Sequence, residues 1–383
     1  MSNNKHFADL LKVCSILPAL AIMPAMAEEY TSSDIKQYPY TVKAGDSLLV
    51  TEGYSNAENG VFHNNGSLTI SDGLTFADNN TQKYGATIYI YNTNATYTNI
   101  GNNVVFSGGT ALEGTKDYPG MGGAIYTWSD GEASGANVID MGDSVAFRGN
   151  SSVDGGSVMY TYGYNTITIG DNLVVEDNTS SDGYGAIVLN GYDAFHGKDF
   201  INTMNVGKNA VFKNNTAFFR SGAVYIGGDA NDKAVFDDGA QFIGNQSSYG
   251  GAIAGFGTFE FGDVSFVSNK SVNANIKSDT NHVGNGGAVL NRGDFVVNGS
   301  ASFLDNYAEG LGGAIYNGGN MTLAKTDFKD NISEKNGGAI YNYGTIDLTG
   351  AESTFVGNSA SESGGAIYNE GTLNIADAEF EGN

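Results

Sequence analysis

The acidic residues offer few arrangements that could catalyse a reaction. An enzyme that cleaves polysaccharides needs several acidic groups, or acidic groups with Lys or Arg, converging on one face. Asp237 and Asp238 are adjacent, and adjacent residues of a strand point to opposite faces, so they form a weak pair. Asp140, Asp143 and Asp171 lie near predicted turns, where Asp is an ordinary residue. We therefore expect no enzymatic activity and keep a polysaccharide lyase or hydrolase as the alternative.

Residues that could bind a metal are also sparse. The histidines beyond the N-terminal segment, His63, His196 and His282, have no spacing typical of metal ligands. The segment GGDANDKAVF at residues 227–236 matches the Gly-Gly-x-Gly-x-Asp calcium repeat poorly. We expect no cofactor, with calcium at acidic corners as the alternative.

Aromatic residues in irregular insertions are better candidates for a binding site. Four insertions interrupt the regular spacing of the chain, at residues 107–121, 128–137, 190–199 and 270–285. Insertions in a repeat protein form loops on its sides, and recognition is often placed on such loops. Because aromatic residues dominate binding hot spots, the candidate partner-binding residues are Trp128, Tyr118, Tyr192 and Phe195. The alternative is that these loops are neutral surface features.

A second candidate is a stripe of tyrosines that recurs with the repeat. These residues are predicted to face outward, and the last three to stack as one ladder: Tyr126, Tyr225, Tyr316, Tyr341 and Tyr368. The stripe could bind a glycan or a protein partner. The alternative is that the rings stack only for stability.

The charge balance limits the partners. The chain of 383 residues has 18 Lys and Arg against 42 Asp and Glu, a net charge of -24. Nucleic acid and anionic lipid need a basic surface, so neither is expected as a partner. The 55 glycines and 11% aromatic residues indicate short strands and tight turns rather than a disordered chain.

Two short motifs recur along most of the chain. GGAIYN stands at residues 312–317, 337–342 and 364–369, and looser forms extend toward the N-terminus. The second motif is Phe-x-x-Asn, which begins at Phe76, Phe147, Phe212, Phe242, Phe266, Phe303, Phe328, Phe355 and Phe380. A motif repeated about every 25 residues indicates a structural unit that stacks on copies of itself.

The letters within the repeat predict which side chains face the core. The second position after the glycine pair is always β-branched and aliphatic: Ile125, Val158, Ile187, Val224, Ile253, Val289, Ile315, Ile340 and Ile367. Side chains alternate across a strand, so this position should face inward and the next one outward. The Phe of Phe-x-x-Asn supplies another inward anchor.

The predicted fold is all-β: a right-handed parallel β-helix with three short strands per coil of about 25 residues. Equivalent residues of successive coils should then lie above one another. The predicted ladders are Ile315, Ile340 and Ile367; Phe303, Phe328, Phe355 and Phe380; and Asn317, Asn342 and Asn369. Asn residues at the corners should adopt left-handed backbone and hydrogen-bond along the ladder.

The N-terminus is typical of a secretory signal peptide over residues 1–27. Lys5 and Lys12 precede a short apolar run that ends in Ala25-Met26-Ala27. The only cysteine, Cys14, lies in this segment, so the exported chain would have no disulfide. Residues 28–58 are predicted to form an N-terminal cap or irregular first coil, and residues 59–383 the β-helix.

The two motifs resemble the repeats of the polymorphic outer membrane proteins of chlamydiae and of related autotransporter passengers. That family combines Gly-Gly-Ala-[Ile/Leu/Val] with Phe-x-x-Asn in one chain. The first motif is intact here at Gly122, Gly250, Gly286, Gly312, Gly337 and Gly364.

The resemblance implies a passenger displayed on the surface, or secreted, by a Gram-negative bacterium. Its role would be adhesion to a protein or glycan on a host or neighbouring cell. Family members end in a translocating β-barrel that anchors them to the outer membrane, and this chain ends at Asn383 after a repeat, so we expect a fragment. A purely structural spacer is the remaining alternative.

Overall fold

A computed structural model describes residues 39–383 except 93–94, 113–119, 130–134, 194–197, 228–230, 273–283 and 351. Within these residues every regular element is a β-strand, and the strands form four long parallel sheets, here named A to D. The predicted signal peptide, residues 1–27, lies outside the described residues. In the described part of the chain, no helix is long and apolar enough to cross a membrane.

Sheets A and B have 12 strands each. Sheet A consists of Tyr40–Val42, Phe62–Asn64, Ile88–Asn92, Ile125–Ser129, Met159–Tyr162, Ile187–Asn190, Val224–Ile226, Ile253–Gly255, Val289–Asn291, Ile315–Asn317, Ile340–Asn342 and Ile367–Asn369. Sheet B consists of Ser47–Val50, Ser67–Ile70, Tyr97–Ile100, Asn137–Met141, Asn165–Ile169, Asn202–Val206, Lys233–Phe236, Thr258–Phe261, Asp294–Val297, Asn320–Leu323, Thr345–Leu348 and Thr372–Ile375.

Sheets C and D have 11 and 10 strands. Sheet C consists of Thr75–Ala77, Val105–Ser107, Ala146–Arg148, Val174–Glu176, Val211–Lys213, Ala240–Ile243, Val264–Val267, Ala301–Leu304, Thr326–Lys329, Ser353–Val356 and Ala378–Glu381. The two-residue strands of sheet D are Asn80–Thr81, Thr110–Ala111, Ser151–Ser152, Thr179–Ser180, Thr216–Ala217, Gln246–Ser247, Lys270–Ser271, Tyr307–Ala308, Ile332–Ser333 and Ser359–Ala360. Tyr192–Asp193 and Lys198–Asp199 form a separate antiparallel pair.

The chain visits the sheets in the order A, B, C, D and then returns to A one winding further along, which makes the fold a parallel β-helix. The prediction of this fold from the repeats is confirmed. Each winding has the three predicted strands, in sheets A, B and C, and a short fourth strand in sheet D that the sequence analysis missed. The first winding occupies residues 40–58, where Ser55 and Glu58 bridge to Ala77 and Asn80.

The core is one continuous column of apolar side chains inside the four sheets. Ile315 pairs in register with Ile340, and Ile340 with Ile367. The first two are completely buried, and Ile367, in the last winding, is half-buried. Alternation along each strand places these side chains inside and their neighbours outside, as the repeat predicts.

A column of stacked phenylalanines runs along sheet C. Phe303 stacks on Phe328, Phe328 on Phe355, and Phe355 on Phe380, with ring centroids 4.7–4.9 Å apart. The first three rings are fully buried, whereas Phe380 in the last winding is 50% exposed. The spacing of the rings is the spacing of hydrogen-bonded strands, so each winding presents its ring directly to the next.

The alignment of one winding by its letters was wrong by one residue. Sheet A pairs Ile125 with Met159, and Tyr126 with Tyr160. Met159 rather than Val158 therefore occupies the inward position of that winding. The cause is the glycine pair, because Gly156, and not Gly155, occupies the position of Gly122.

Left-handed backbone is found at some corner Asn residues, with φ of 56° at Asn103 and 60° at Asn172, but not at the Asn residues of the ladders. Positive φ is found at the third residue of Phe-x-x-Asn, for example 52° at Asp78, 53° at Asn214 and 53° at Asp305, and not at the Asn that follows. This explains why the third position holds Asp, Asn, Ser or Gly, the residues that tolerate this conformation best.

The Asn of Phe-x-x-Asn has a different task, which is to hydrogen-bond successive windings. In Asn306, the backbone N and the side-chain Nδ2 both donate to Oδ1 of Asn331, at 3.1 and 3.0 Å. The same Nδ2 donates to the carbonyl oxygen of Phe266 in the preceding winding, at 3.0 Å. Equivalent bonds join Asn150, Asn178, Asn215, Asn245, Asn269, Asn306, Asn331, Asn358 and Asn383.

The Asn that ends GGAIYN forms a second ladder. Asn317 Nδ2 donates to Asn342 Oδ1 at 2.8 Å, and Asn342 Nδ2 to Asn369 Oδ1 at 2.7 Å. Asn317 and Asn342 are buried, and Asn369 is exposed. Buried polar groups need hydrogen-bond partners, and the two Asn ladders supply them at the corners of the windings.

Candidate functional site

The outer surface of sheet A differs from that of sheets B and C. Outward positions of sheet B are mainly polar, as in the register Thr69, Asn99 and Asp140. Those of sheet C are polar or charged in the register Ser107, Arg148, Glu176 and Lys213 and become aliphatic further along it, at Ile243, Val267 and Leu304. Outward positions of sheet A hold tyrosines and aliphatic residues instead: Tyr89, Tyr126, Tyr160, Val188, Tyr225, Ala254, Leu290, Tyr316, Tyr341 and Tyr368.

The tyrosines of the stripe point outward from sheet A, as predicted, but most of them are covered by other residues. Tyr126, Tyr225 and Tyr316 point away from the central core but are only 5–6% exposed, in a second apolar cluster outside sheet A. Tyr341 and Tyr368, near the end of the chain, are half-buried. Burial raises the pKa of the Tyr316 hydroxyl to about 12, so this ring is neutral at physiological pH.

The rings are covered by bulky residues that precede the glycine pair in several windings. Tyr84 stacks on Tyr126 at 4.3 Å, and Tyr184 stacks on Tyr225 at 4.6 Å. Phe219 and Tyr249 extend this cover, with their rings 5.3 Å apart. We name the outward side of sheet A, together with these covering residues, the aromatic face. Sequence reasoning missed the covering residues, although their recurrence just before the glycine pair was visible.

The last three tyrosines of the stripe form the predicted ladder. Tyr316 stacks on Tyr341 at 5.3 Å, and Tyr341 on Tyr368 at 5.4 Å, with the rings nearly parallel. The Tyr341 hydroxyl donates to Glu370 Oε2 at 2.5 Å. Burial, followed by this contact with Glu370, raises the pKa of Tyr341.

All four insertions fall between sheet A and a neighbouring sheet along the chain. Those at 107–121 and 270–285 include a strand of sheet D and precede a strand of sheet A, and those at 128–137 and 190–199 connect sheet A to sheet B. The described residues that flank them therefore lie at the two edges of sheet A. Of the residues predicted within them, Trp128 is half-buried on the face and stacks on Tyr91 at 4.5 Å.

Of the other three aromatic residues predicted within the insertions, the structure describes only Tyr192. Tyr192 belongs to the antiparallel strand pair, in register with Asp199. Tyr118 and Phe195 lie outside the described residues. The predicted binding role of all four aromatic residues stays a prediction.

The acidic residues considered for catalysis are dispersed. Asp143 Oδ1 accepts the backbone N–H of Asp171 at 2.9 Å, and Asp171 Oδ1 accepts that of Lys208 at 2.8 Å, so both tie corners together. Burial, followed by the charge of nearby Asp140, raises the pKa of Tyr97. Asp237 and Asp238 are both exposed on a turn.

The described residues contain no group of three or more His, Cys, Asp or Glu side chains that could hold a metal ion. In the segment compared with the calcium repeat, Asp232 is buried and accepts the backbone N–H groups of Gly191 and Asn202 at 2.8 and 2.7 Å. His63 packs edge-on against Tyr89, and burial, followed by the charge of Lys83, lowers its pKa. His196 and His282 lie outside the described residues. Calcium at acidic corners stays a prediction.

The fold and the repeat define the class of this molecule: a parallel β-helix built from a recurrent sequence unit. Three segments, residues 300–318, 325–343 and 352–370, match the family model described as the Chlamydia polymorphic membrane protein repeat. The chain thus carries repeats of this family, and the suspected resemblance is confirmed. Together with the fold, these repeats support an autotransporter-type passenger. No curated protein and no solved structure matches the chain.

Proposed function

We propose that this chain is an exported passenger that acts at the bacterial surface in adhesion, through the aromatic face and the loops beside it. Its partner would be a protein or glycan on a host or neighbouring cell. The repeats of the polymorphic membrane protein family support a location at the surface or outer membrane of a Gram-negative bacterium. The signal-peptide pattern of residues 1–27 supports export.

The observation that carries the proposal is the coincidence of two features on one wall. Sheet A alone among the three main sheets presents an aromatic outer surface, and all four insertions emerge at its edges. A spacer would have no reason to concentrate insertions on one wall. Aromatic surfaces bordered by variable loops on a rigid scaffold are typical of recognition sites.

The loops can be removed without changing the repeat length. Deleting residues 273–283 leaves Asn269-Lys270-Ser271-Val272-Gly284-Asn285-Gly286, which has the length of the regular segment 331–337. Val272 and Gly284 already hydrogen-bond to the preceding winding at 2.9 and 2.8 Å, so the new junction keeps its anchors. Deleting residues 113–119 gives the same length between Gly109 and Gly122.

Attachment of the purified chain to cultured epithelial cells, or to neighbouring bacteria, tests the proposal. We expect each deletion to retain the circular dichroism spectrum and to reduce attachment severalfold, with the double deletion weakest. The matched control is Arg148→Gln, which removes an exposed charge on the outer side of sheet C. Equal attachment by the wild-type chain and both deletion variants would favour a spacer.

A further inference from the structure

A pocket opens in the aromatic face where the column of tyrosines is interrupted. Ala254 lies in register between Tyr225 and Leu290 and has no ring to fill the space above it. The resulting cavity of about 230 Å³ is lined by Arg220, Tyr225, Tyr249, Phe256, Leu290 and Arg292, among others. Its volume is below the range of roughly 300–1,000 Å³ for drug-sized ligands, so it suits a single small group such as one sugar ring.

Two arginines give this pocket a positive charge in a strongly acidic protein. The Arg220 guanidinium lies 5.4 Å from the centre of the Phe256 ring, and that of Arg292 lies 5.8 Å from the same ring. Arg220 also lies over Tyr225 and donates from Nη1 to its hydroxyl at 2.8 Å. The rings thus hold both guanidinium groups at the pocket by cation–π contact.

Neither arginine is neutralised by a carboxylate among the described residues. The ion pairs of that part of the chain involve Arg148, Lys233 and Lys325, not Arg220 or Arg292. Arg292 Nε is buried and donates to no described acceptor. A buried donor without a partner destabilises the free protein, and a ligand oxygen could accept its hydrogen bond. Two arginines without acidic partners are unusual where acidic residues outnumber basic ones by 42 to 18.

We propose that this pocket binds the carboxylate of an acidic sugar, with Arg220 and Arg292 contacting the carboxylate and the aromatic rings packing against the sugar ring. The inference rests on the proposed adhesive function and names the ligand class. Guanidinium groups match carboxylates in a bidentate geometry. The half-buried ring of Phe256 suits the C–H face of a pyranose better than a flexible peptide side chain, which would lose more conformational entropy on binding.

The charge of the whole molecule narrows the ligand further. A net charge of -24 repels a polyanion, whereas a single terminal carboxylate meets only the two local arginines. A glycan that ends in one sialic acid therefore fits the pocket better than a polymer of uronic acids.

Titration of the purified full chain with 3′-sialyllactose, followed by saturation-transfer NMR and calorimetry, tests the proposal. Neutral lactose and a hyaluronan tetrasaccharide are the comparison ligands. We expect sialyllactose to bind and lactose not to bind. If only the hyaluronan fragment binds, the ligand is still an acidic sugar, and its carboxylate is that of a uronic acid. Equal binding of lactose would overturn the role of the carboxylate.

Three variants locate the site. Arg220→Gln and Arg292→Gln should each weaken binding of the acidic sugar about tenfold or more, because each removes a charged hydrogen-bond donor. Ala254→Tyr should abolish it by restoring the missing ring while continuing the column seen at Tyr225 and Tyr316. Arg148→Gln on sheet C is the matched charge control and should leave binding unchanged.

Two results would overturn the inference. One is binding that survives Arg220→Gln, Arg292→Gln and Ala254→Tyr in variants that keep the wild-type circular dichroism spectrum. The other is binding of a hexaglutamate peptide together with no binding of either acidic sugar. That result would assign the pocket to acidic peptides.

Attachment assays separate this inference from the adhesive function itself. If wild-type chain attaches equally to untreated and to sialidase- and hyaluronidase-treated cells, adhesion stands and the acidic-sugar site fails as its basis. If wild-type chain attaches to no cell tested, the adhesive function fails, and the sugar titration still decides whether the pocket binds its ligand.

Discussion

At the scale of single residues, the Asn of Phe-x-x-Asn stabilises the fold through hydrogen bonds that no other residue type can make. Asn306 is 1% exposed and makes hydrogen bonds to both adjacent windings. No other residue type offers a neutral side chain with this donor and acceptor at the same length. The conservation of chemistry along the ladder is therefore a consequence of hydrogen-bond geometry in a buried corner.

The variant Asn306→Ala should lower the free energy of unfolding by about 3 kcal/mol or more. It leaves the backbone N–H of Asn269 and the carbonyl of Phe266 without their partners, and each unsatisfied buried group costs roughly 1–3 kcal/mol. Urea denaturation measures the change. The matched control is Asn320→Ala, which removes an exposed bond to Asp294 and should cost less than about 0.5 kcal/mol. Equal losses in the two variants would contradict this role of the ladder.

A second prediction at this scale concerns Asp154, a partly buried residue near the aromatic face. Burial, followed by the charge of Asp182, raises the pKa of Asp154 to about 6. The folded state therefore binds this proton more tightly than the unfolded state, whose carboxyl has a pKa near 3.8. Stability from this group falls as the pH rises from about 4 to 6 and stays lower above that range.

The variant Asp154→Asn should accordingly raise the melting temperature at pH 7.5 and change it little at pH 4. Asp263 supplies a control of opposite sign, because hydrogen bonds from Ser300 lower its pKa. Asp263→Asn should lower the melting temperature at pH 7.5, with the effect disappearing as the pH falls through the pKa of Asp263. A stabilisation by Asp154→Asn that is equal at both pH values would contradict the titration argument.

At the scale of the element, the stability of each strand depends on the side chains that stack on it from the adjacent windings. Phe303 contacts Phe266 and Phe328 at 4.8 and 4.9 Å, and such pairs contribute roughly 0.5–1.5 kcal/mol each beyond their burial. Phe303→Ala should therefore cost about 3–5 kcal/mol of unfolding free energy, measured by urea denaturation. Phe380→Ala, at a ring that is 50% exposed and has one neighbour, should cost much less. A similar loss at both positions would show that stacking does not set the cost.

Much of the fold could be predicted because identical letters one winding apart must occupy identical positions. The inward ladders of Ile340 and Phe328 followed from alternation alone. The register at Met159 did not, because either glycine of the pair Gly155-Gly156 could occupy the position of Gly122, and the backbone conformation decides between them. The burial of Tyr316 and the pocket at Ala254 were also missed. Both depend on residues outside the strand that pack over an outward-facing side chain. Strand alternation shows which side chains face outward but not which of them are covered.

At the scale of the whole molecule, the solenoid has few contacts between distant windings. The twelve strands of sheet A pair only with their immediate neighbours, and the same holds for the other three long sheets. Stability is then close to a sum of winding and interface terms rather than a property of one closed core. A destabilised winding should loosen its neighbours and leave remote windings protected.

The variant Ile253→Ala tests this expectation. Ile253 is fully buried between Val224 and Val289, and truncation of such a side chain costs roughly 2–5 kcal/mol. Hydrogen exchange measured by mass spectrometry should become faster in peptides covering Val224 and Val289 and stay unchanged in those covering Phe62. Thr69→Ala on the outer side of sheet B is the control and should change neither region. A uniform acceleration along the chain would mean that the windings unfold as one unit.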